Sequence, residues 1–333
     1  MLAVFPALCL TFFSLFSLFF SSLSQAVPAN FSQAKVVLKE QVYFDQNQKG
    51  ALGTIYCGCD WQWVGRSGGR IEPERCGYRI RAIANRGQRT EIEHIFAASH
   101  FGQQRQCWQN GGRKNCNQTD PVFNRMEADL HNLTVSIGEL NADRSNYRFG
   151  MLPNSPQQHG QCTSKVDFKQ RIFEPRDEAK GQIARINFYM ADHYNLRLSE
   201  QQQKLFMAWS KQYPVSQWER TRDQRIAQII GHHNPFVTGE KTWRLGHRNS
   251  ASGVANNQPL SHKATTKVAT SSAKPTQASA DLSTPAVRGN RNSKIFHPKG
   301  CSTYDSMHPR NIVSFSSESE ATQAGYRKAK NCK

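Results

Sequence analysis

Acidic residues are scarce in this chain: 25 Asp and Glu stand against 43 Lys and Arg, a formal charge of +18 over 333 residues. The imbalance excludes an acid-rich solvating protein and points to a polyanionic partner, nucleic acid first, with adhesion to an anionic surface as the plainer reading. Long apolar runs are scarce too. None follows the one at residues 2–20, which excludes a multi-span membrane protein. Aromatic residues are missing from residues 249–290, where Ser, Ala, Thr, Asn, Pro and Lys dominate. Such a stretch buries too little apolar surface to offset its ordering entropy, so it is expected to be a flexible tether. Elsewhere a 38% hydrophobic content is enough for a core, and the length suggests two folded units.

The apolar run at residues 2–20 is broken only by Thr11, Ser14 and Ser17, and Ser24 and Ala26 then make a small-x-small cleavage site. Residues 1–26 therefore read as a signal peptide. The n-region holds no Lys or Arg, so an uncleaved signal anchor stands as the alternative. Either way the remainder is exported, to the periplasm or beyond, and is expected to be monomeric with no membrane span once the signal is removed. Without Cys9, eight cysteines remain: Cys57, Cys59, Cys76, Cys107, Cys116, Cys162, Cys301 and Cys332. An even set in an oxidising compartment reads as disulfides. The first six allow many pairings, with Cys107 and Cys116 placed for a local bridge around a Gly-Gly turn. Zinc is the rival for Cys57-Gly-Cys59, though its one-residue spacing is tighter than a Cys-x2-Cys knuckle.

Residues 27–240 are mixed and aromatic-rich, as in a packed domain. Apolar residues recur at helical spacing over 183–196, and Ser199 followed by Gln202 predicts a capped helix over 199–212. Short strands are expected at 54–56 and 79–83. The fold class is α+β, with a tether at 241–292 and a small α+β module at 293–333. From residue 246 onward there are 13 basic and 4 acidic residues, so half of the net charge lies in tether and tail.

One segment carries chemistry. The run Glu91-Ile92-Glu93-His94-Ile95 sets a carboxylate beside an imidazole. Neighbours on a strand face opposite ways, so both serve one site only near a strand end or in a loop. Ser136 with Glu139 suggests a second capping box, placing Asn141 early in a helix. A carboxylate and an amide oxygen suit a hard cation such as Mg²⁺, a neutral His can take a proton from water, and an Arg fork can grip a phosphate.

These residues also carry a resemblance. The strings CGCDW, CGYRIR, EIEHIFAASHFGQQRQCWQNGGRKNC, DLHNLTVSIGELNADRSNYRFG, GQCTSKVDFK and GHHNPFV, in that order over about residues 40–238, resemble the bacterial endonuclease I family of periplasmic or secreted non-specific nucleases. The resemblance implies a ββα-metal (His-Me finger) site in a mixed α/β domain, and cleavage of DNA, often RNA, to 5′-phosphate products. It implies His94 as general base, Glu93 and Asn141 as Mg²⁺ ligands (with Mn²⁺ or Ca²⁺ as substitutes) and Arg113 on the scissile phosphate. It favours disulfides over zinc for the six matching cysteines. Around this set, Arg105, Lys114, Arg144 and Arg148 are candidates for a phosphate-binding groove, or are solvated charges. Asp129 and His131 support the metal site or cap a turn. His232, His233 and Asn234 invite a metal reading, with a turn closing the domain favoured over it.

The tail from residue 293 resembles the small metal-binding domain of the Ada DNA-repair protein, most specifically in AGYRKAKNC. The parent pattern has four cysteines; here His297, Cys301 and Cys332 remain, with Ala329 in the place of the fourth. Cys301 and Cys332 then form a disulfide that clamps a small unit, or join His297 in a three-ligand zinc site. A non-catalytic DNA-binding or uptake protein on a nuclease scaffold is the rival to an enzyme, and the intact Glu93, His94, Arg113 and Asn141 set speaks against it.

Overall fold

The computed structural model describes residues 27–48, 50–255, 287–290, 293–301, 304, 311–315, 317–329 and 332. The expected signal peptide and residues 256–286 of the expected tether lie outside the described residues. The chain divides into two compact units between residues 261 and 262.

In the first unit, β1 (Gln62–Val64), β2 (Gly68–Arg70), β3 (Arg89–His94) and β4 (Leu133–Ile137) form an antiparallel sheet in that order. β3 and β4 pair with Glu93 opposite Thr134 and His94 opposite Leu133. β4 is buried along its whole length and runs straight into the helix Gly138–Arg144, giving strand, strand, helix. Gly138 permits this tight passage, since a Cβ there would come within 2.9 Å of Arg86 O and Glu91 Oε1. Between β3 and β4 the chain leaves the sheet through five short helices, with Cys107–Cys116 bridging two of them. A second small sheet, β5 (Arg148–Phe149), β6 (Lys165–Asp167) and β7 (Ile172–Glu174), has β7 at its centre. The helix Asp177–Tyr194 is buried on nearly every side and forms the spine of the core. On it pack the helix Glu200–Gln212, whose Ser199 cap accepts from Gln202 N as expected, and the helix Pro235–Thr238.

Several local expectations fail for physical reasons. Ser136 and Glu139 do not form a capping box: the strand extends through Ser136, and Glu139 is drawn away to accept from the N–H groups of Arg81 and Ala82 at 3.0 and 2.7 Å. Tyr78 OH and Ile83 N reach the same carboxylate. Successive N–H groups converging on one carboxylate cannot also make a strand ladder, so residues 79–83 are not a strand. Residues 54–56 form a turn closed by Gly58 N donating to Thr54 O, just ahead of Cys57 and Cys59, which are paired as Cys57–Cys162 and Cys59–Cys76.

The domain also runs further than its composition suggests. Residues 241–255, assigned above to the tether, dock on the spine helix. Trp243 stacks on Phe188 at 4.8 Å, while Lys241 Nζ, His247 Nε2 and Ser250 Oγ gather on the Asp192 carboxylate at 2.7–2.8 Å. One buried carboxylate and one indole suffice to anchor a segment whose average composition reads as tether.

The second unit is a four-stranded sheet in the order β10 (Ile312–Phe315), β8 (Val287–Asn290), β9 (Ile295–Pro298), β11 (Arg327–Lys328), with the helix Glu318–Gln323. β8 is a central strand, so the module starts within the stretch expected to be tether. Its core is small: Val287, Phe296, Phe315, Ala321 and Tyr326. Cys301 and Cys332 form a disulfide, with His297 Nδ1 3.8 and 3.7 Å from their sulfurs. The ligand atoms of all three residues lie within 4.8 Å of one another, so the clamp and the three-ligand set share one place in the module. No helix among the described residues is long and apolar enough to cross a membrane.

Candidate active site

A cleft of about 640 Å³ opens where β3 ends, and Glu93, His94, Arg113, Asn141 and Arg144 all line it. Thr90 to His94 all line the cleft, since β2 pairs with β3 only at Arg89 and Thr90 and leaves the rest of that edge of β3 open to it, so Glu93 and His94 both reach one site despite strand alternation. Asn141 arrives from the helix that β4 feeds, and Arg113 from the excursion between the strands.

His94 is buried, its ring 4.5 Å from that of Phe31. Its Nε2 lies 2.9 Å from the main-chain oxygen of Glu127. A carbonyl only accepts, so Nε2 carries the proton and Nδ1 keeps its lone pair. Burial, with the Arg113 and Arg144 charges adding to it, lowers the pKa of the ring to about 3. At neutral pH His94 is an uncharged acceptor.

Glu93 is equally enclosed. Tyr56 OH and Arg144 Nη1 both donate to its Oε1, at 2.8 and 3.0 Å. Burial pushes its pKa above the usual carboxylate range against the opposing pull of Arg144 and Tyr56. Asn141 Nδ2 donates to Glu91 Oε2 at 2.9 Å. Because a carboxylate binds only the NH₂ end, this contact fixes which way the amide points and reserves Oδ1 as an acceptor. Glu91 is itself held by the guanidinium groups of Arg86 and Arg89, at 2.9 and 2.8 Å. The donor set is thus a carboxylate with a raised pKa and an oriented carboxamide, without thiols, which fits a hard divalent cation.

Arg113 is half exposed and gives its Nε to Glu127, which also accepts from Asn117 Nδ2 at 2.9 Å. Its two Nη groups make no hydrogen bond among the described residues. Arg144 is corrected from a groove residue to an internal counter-ion: it is 2% exposed and donates to Glu93, to His94 O at 2.9 Å and to Ile95 O at 2.6 Å. Arg105 also leaves the groove, since its fork closes on Asp120, the cap of the helix Pro121–Ala128. Lys114 and Arg148 are exposed but do not line the cleft.

Asp129 and His131 lie elsewhere. Asp129 accepts from Tyr189 and Tyr194 and from His131 N, capping a turn. His233 bonds Asp223 and Asn234 caps the helix Pro235–Thr238, as a closing turn requires. Sequence reasoning missed Tyr56, Glu91 and Glu127 as supports. For Glu91 the signal was present, because residues two apart on a strand share a face.

The buried histidines make the fold acid-sensitive. Burial above all lowers the pKa of fully enclosed His131 to about 4. The unfolded chain takes up that proton first as pH falls below 6.5, so the stabilisation present at neutral pH is lost between pH 6.5 and 4, about 3 kcal/mol from this ring. We expect Tm to fall across that window and the slope to shrink in His131→Gln; an unchanged slope would contradict a neutral buried ring.

The family model described as Endonuclease I matches residues 30–240. The "Endonuclease-1" of Buchnera aphidicola subsp. Baizongia pistaciae (strain Bp) is 47% identical over 210 residues, 62% of this chain and 82% of that protein. The "Periplasmic deoxyribonuclease" of Aeromonas hydrophila is 50% identical over 187 residues, 55% of this chain and 77% of that protein. The "Extracellular endonuclease" of Pseudomonas fluorescens biotype A is 32% identical over 236 residues, 68% of this chain and 94% of that protein. With the strand-strand-helix cleft and a family match over most of its length, the chain belongs to the Endonuclease I family of endonucleases.

Proposed function

We propose that the chain is an exported, Mg²⁺-dependent endonuclease that cuts DNA, and RNA, without sequence preference and leaves 5′-phosphates. The observation that carries this reading is the convergence of Glu93, His94, Asn141 and Arg113 on one cleft from three separate parts of the fold. The printed names of relatives, a periplasmic deoxyribonuclease and an extracellular endonuclease, support export and DNA as substrate.

Glu93 Oε and Asn141 Oδ1 would hold the cation, which supplies neutralising charge at the scissile phosphate and the departing oxygen. His94 Nδ1 accepts the proton of the attacking water, with Nε2 anchored on Glu127 O. Arg113, steadied through Nε, presents Nη1 and Nη2 to the phosphate. Phosphate contacts position a strand without reading its bases, which accounts for cleavage without sequence preference.

Plasmid nicking tests the reading directly. Mg²⁺ is expected to support cleavage and excess EDTA to abolish it, while DNA binding measured by gel shift persists in EDTA. Undiminished cleavage in EDTA would remove the metal from the account. Binding without cleavage under every condition would favour the uptake protein instead.

A further inference from the structure

The turn between β6 and β7, residues 168–171, stands beside the cleft and the reaction as described does not use it. Phe168 is 42% exposed there. The Arg81 guanidinium lies 4.7 Å from its ring centre, and the Tyr147 ring meets it edge-on at 6.3 Å. Arg171 lies over Tyr147 at 5.0 Å and donates to Asn146 Oδ1 at 2.8 Å; Asn146 Nδ2 in turn donates to Ser99 Oγ at 3.2 Å. Asn146 and Ser99 line the cleft, so the aromatic pair is continuous with the site. Lys169, Arg171 and Arg148, the last on the neighbouring strand β5, are exposed.

Arg171 holds a φ of +56°, a left-handed conformation that favours glycine, yet the position carries a guanidinium. Asp167 ties the turn down by accepting from Gln170 N at 2.8 Å, and Arg81 is held by Asp143 at 2.7 Å. The geometry is therefore fixed, basic and aromatic, and it adjoins the phosphate site.

We propose that Phe168, backed by Arg81, forms a stacking platform for an unpaired base of the strand that passes through the cleft, with Arg171 and Arg148 on the adjoining phosphates. The inference rests on the nuclease reading and adds to it a contact that only an unpaired or frayed base can make. Bases in a duplex are stacked on one another and cannot lie on a side chain, whereas an unpaired base offers its face without that loss.

The test is fluorescence anisotropy of the full chain in EDTA, with a labelled single-stranded oligodeoxythymidylate and the same oligomer carrying abasic sites. One stacked base is worth about tenfold in affinity. Wild type should bind the base-bearing strand tighter by about that factor, and Phe168→Ala should erase the difference. Arg171→Gly suits the local φ and should weaken both strands while lowering the slope of log affinity against log salt by about one. Tm should hold in both variants, because the altered side chains are exposed. Phe168→Ala that keeps the base-versus-abasic difference overturns the platform. Wild type that neither binds nor, with Mg²⁺ restored, cuts either strand overturns the nuclease reading and this one with it.

Discussion

Replacing His94 by alanine is expected to lower plasmid cleavage by about 10²–10⁴-fold while leaving DNA affinity in EDTA close to that of wild type. The loss follows from removing Nδ1, the acceptor left by the Nε2 contact to Glu127 O. Because the ring titrates far below neutrality, the rate at pH 6 is not expected to show the protonation of an ordinary histidine near 6.5. Cleavage by His94→Ala within a few-fold of wild type, measured by initial nicking rates, would defeat the assignment. A fall in DNA affinity equal to the fall in rate would instead mean that the ring shapes the binding surface.

Arg144→Ala is expected to be the most damaging substitution to the fold around the cleft. The guanidinium neutralises Glu93 and satisfies two main-chain oxygens, all buried. Breaking a buried pair from one side strands the other charge, at about 3–5 kcal/mol. For a domain of this size that corresponds to a fall in Tm of roughly 10 °C. Under the proposed function cleavage should fall with it, because burial drives an unpaired Glu93 toward its neutral form, which holds a cation poorly. The groove reading of Arg144 makes the opposite forecast: a normal Tm, with only KM and salt dependence altered. Thermal melts of Arg144→Ala beside Lys114→Ala, an exposed control, separate the two.

Much of the candidate site could be read from residue order. Glu93-His94 and the Asn141 segment stand out, and the structure brings them to one cleft as expected. Two helices emerge from the apolar spacing over 183–196 and the Ser199 cap, both local signals. Glu139 shows where local reading stops. In sequence it completes a capping box with Ser136; in the fold a stronger competitor, the cluster of N–H groups at Arg81 to Ile83, takes the carboxylate. Residues 241–255 fail as tether for a related reason. Composition averages over a window, whereas docking depends on Trp243 and the few groups that reach Asp192.

Export, a disulfide-stapled architecture, the break between two units and the residue types of the cleft all follow from composition and motif, since each depends on what a segment contains. The roles of the arginines do not. Arg144 meets Glu93 across 51 positions and Glu91 meets Asn141 across 50, so their neighbours exist only after the chain has closed on itself. Whether a guanidinium grips substrate or neutralises an internal carboxylate turns on how much water surrounds it. That is a property of the packed molecule, because the free-energy cost of a charge is set by what lies within a few ångströms and not by its place in the string.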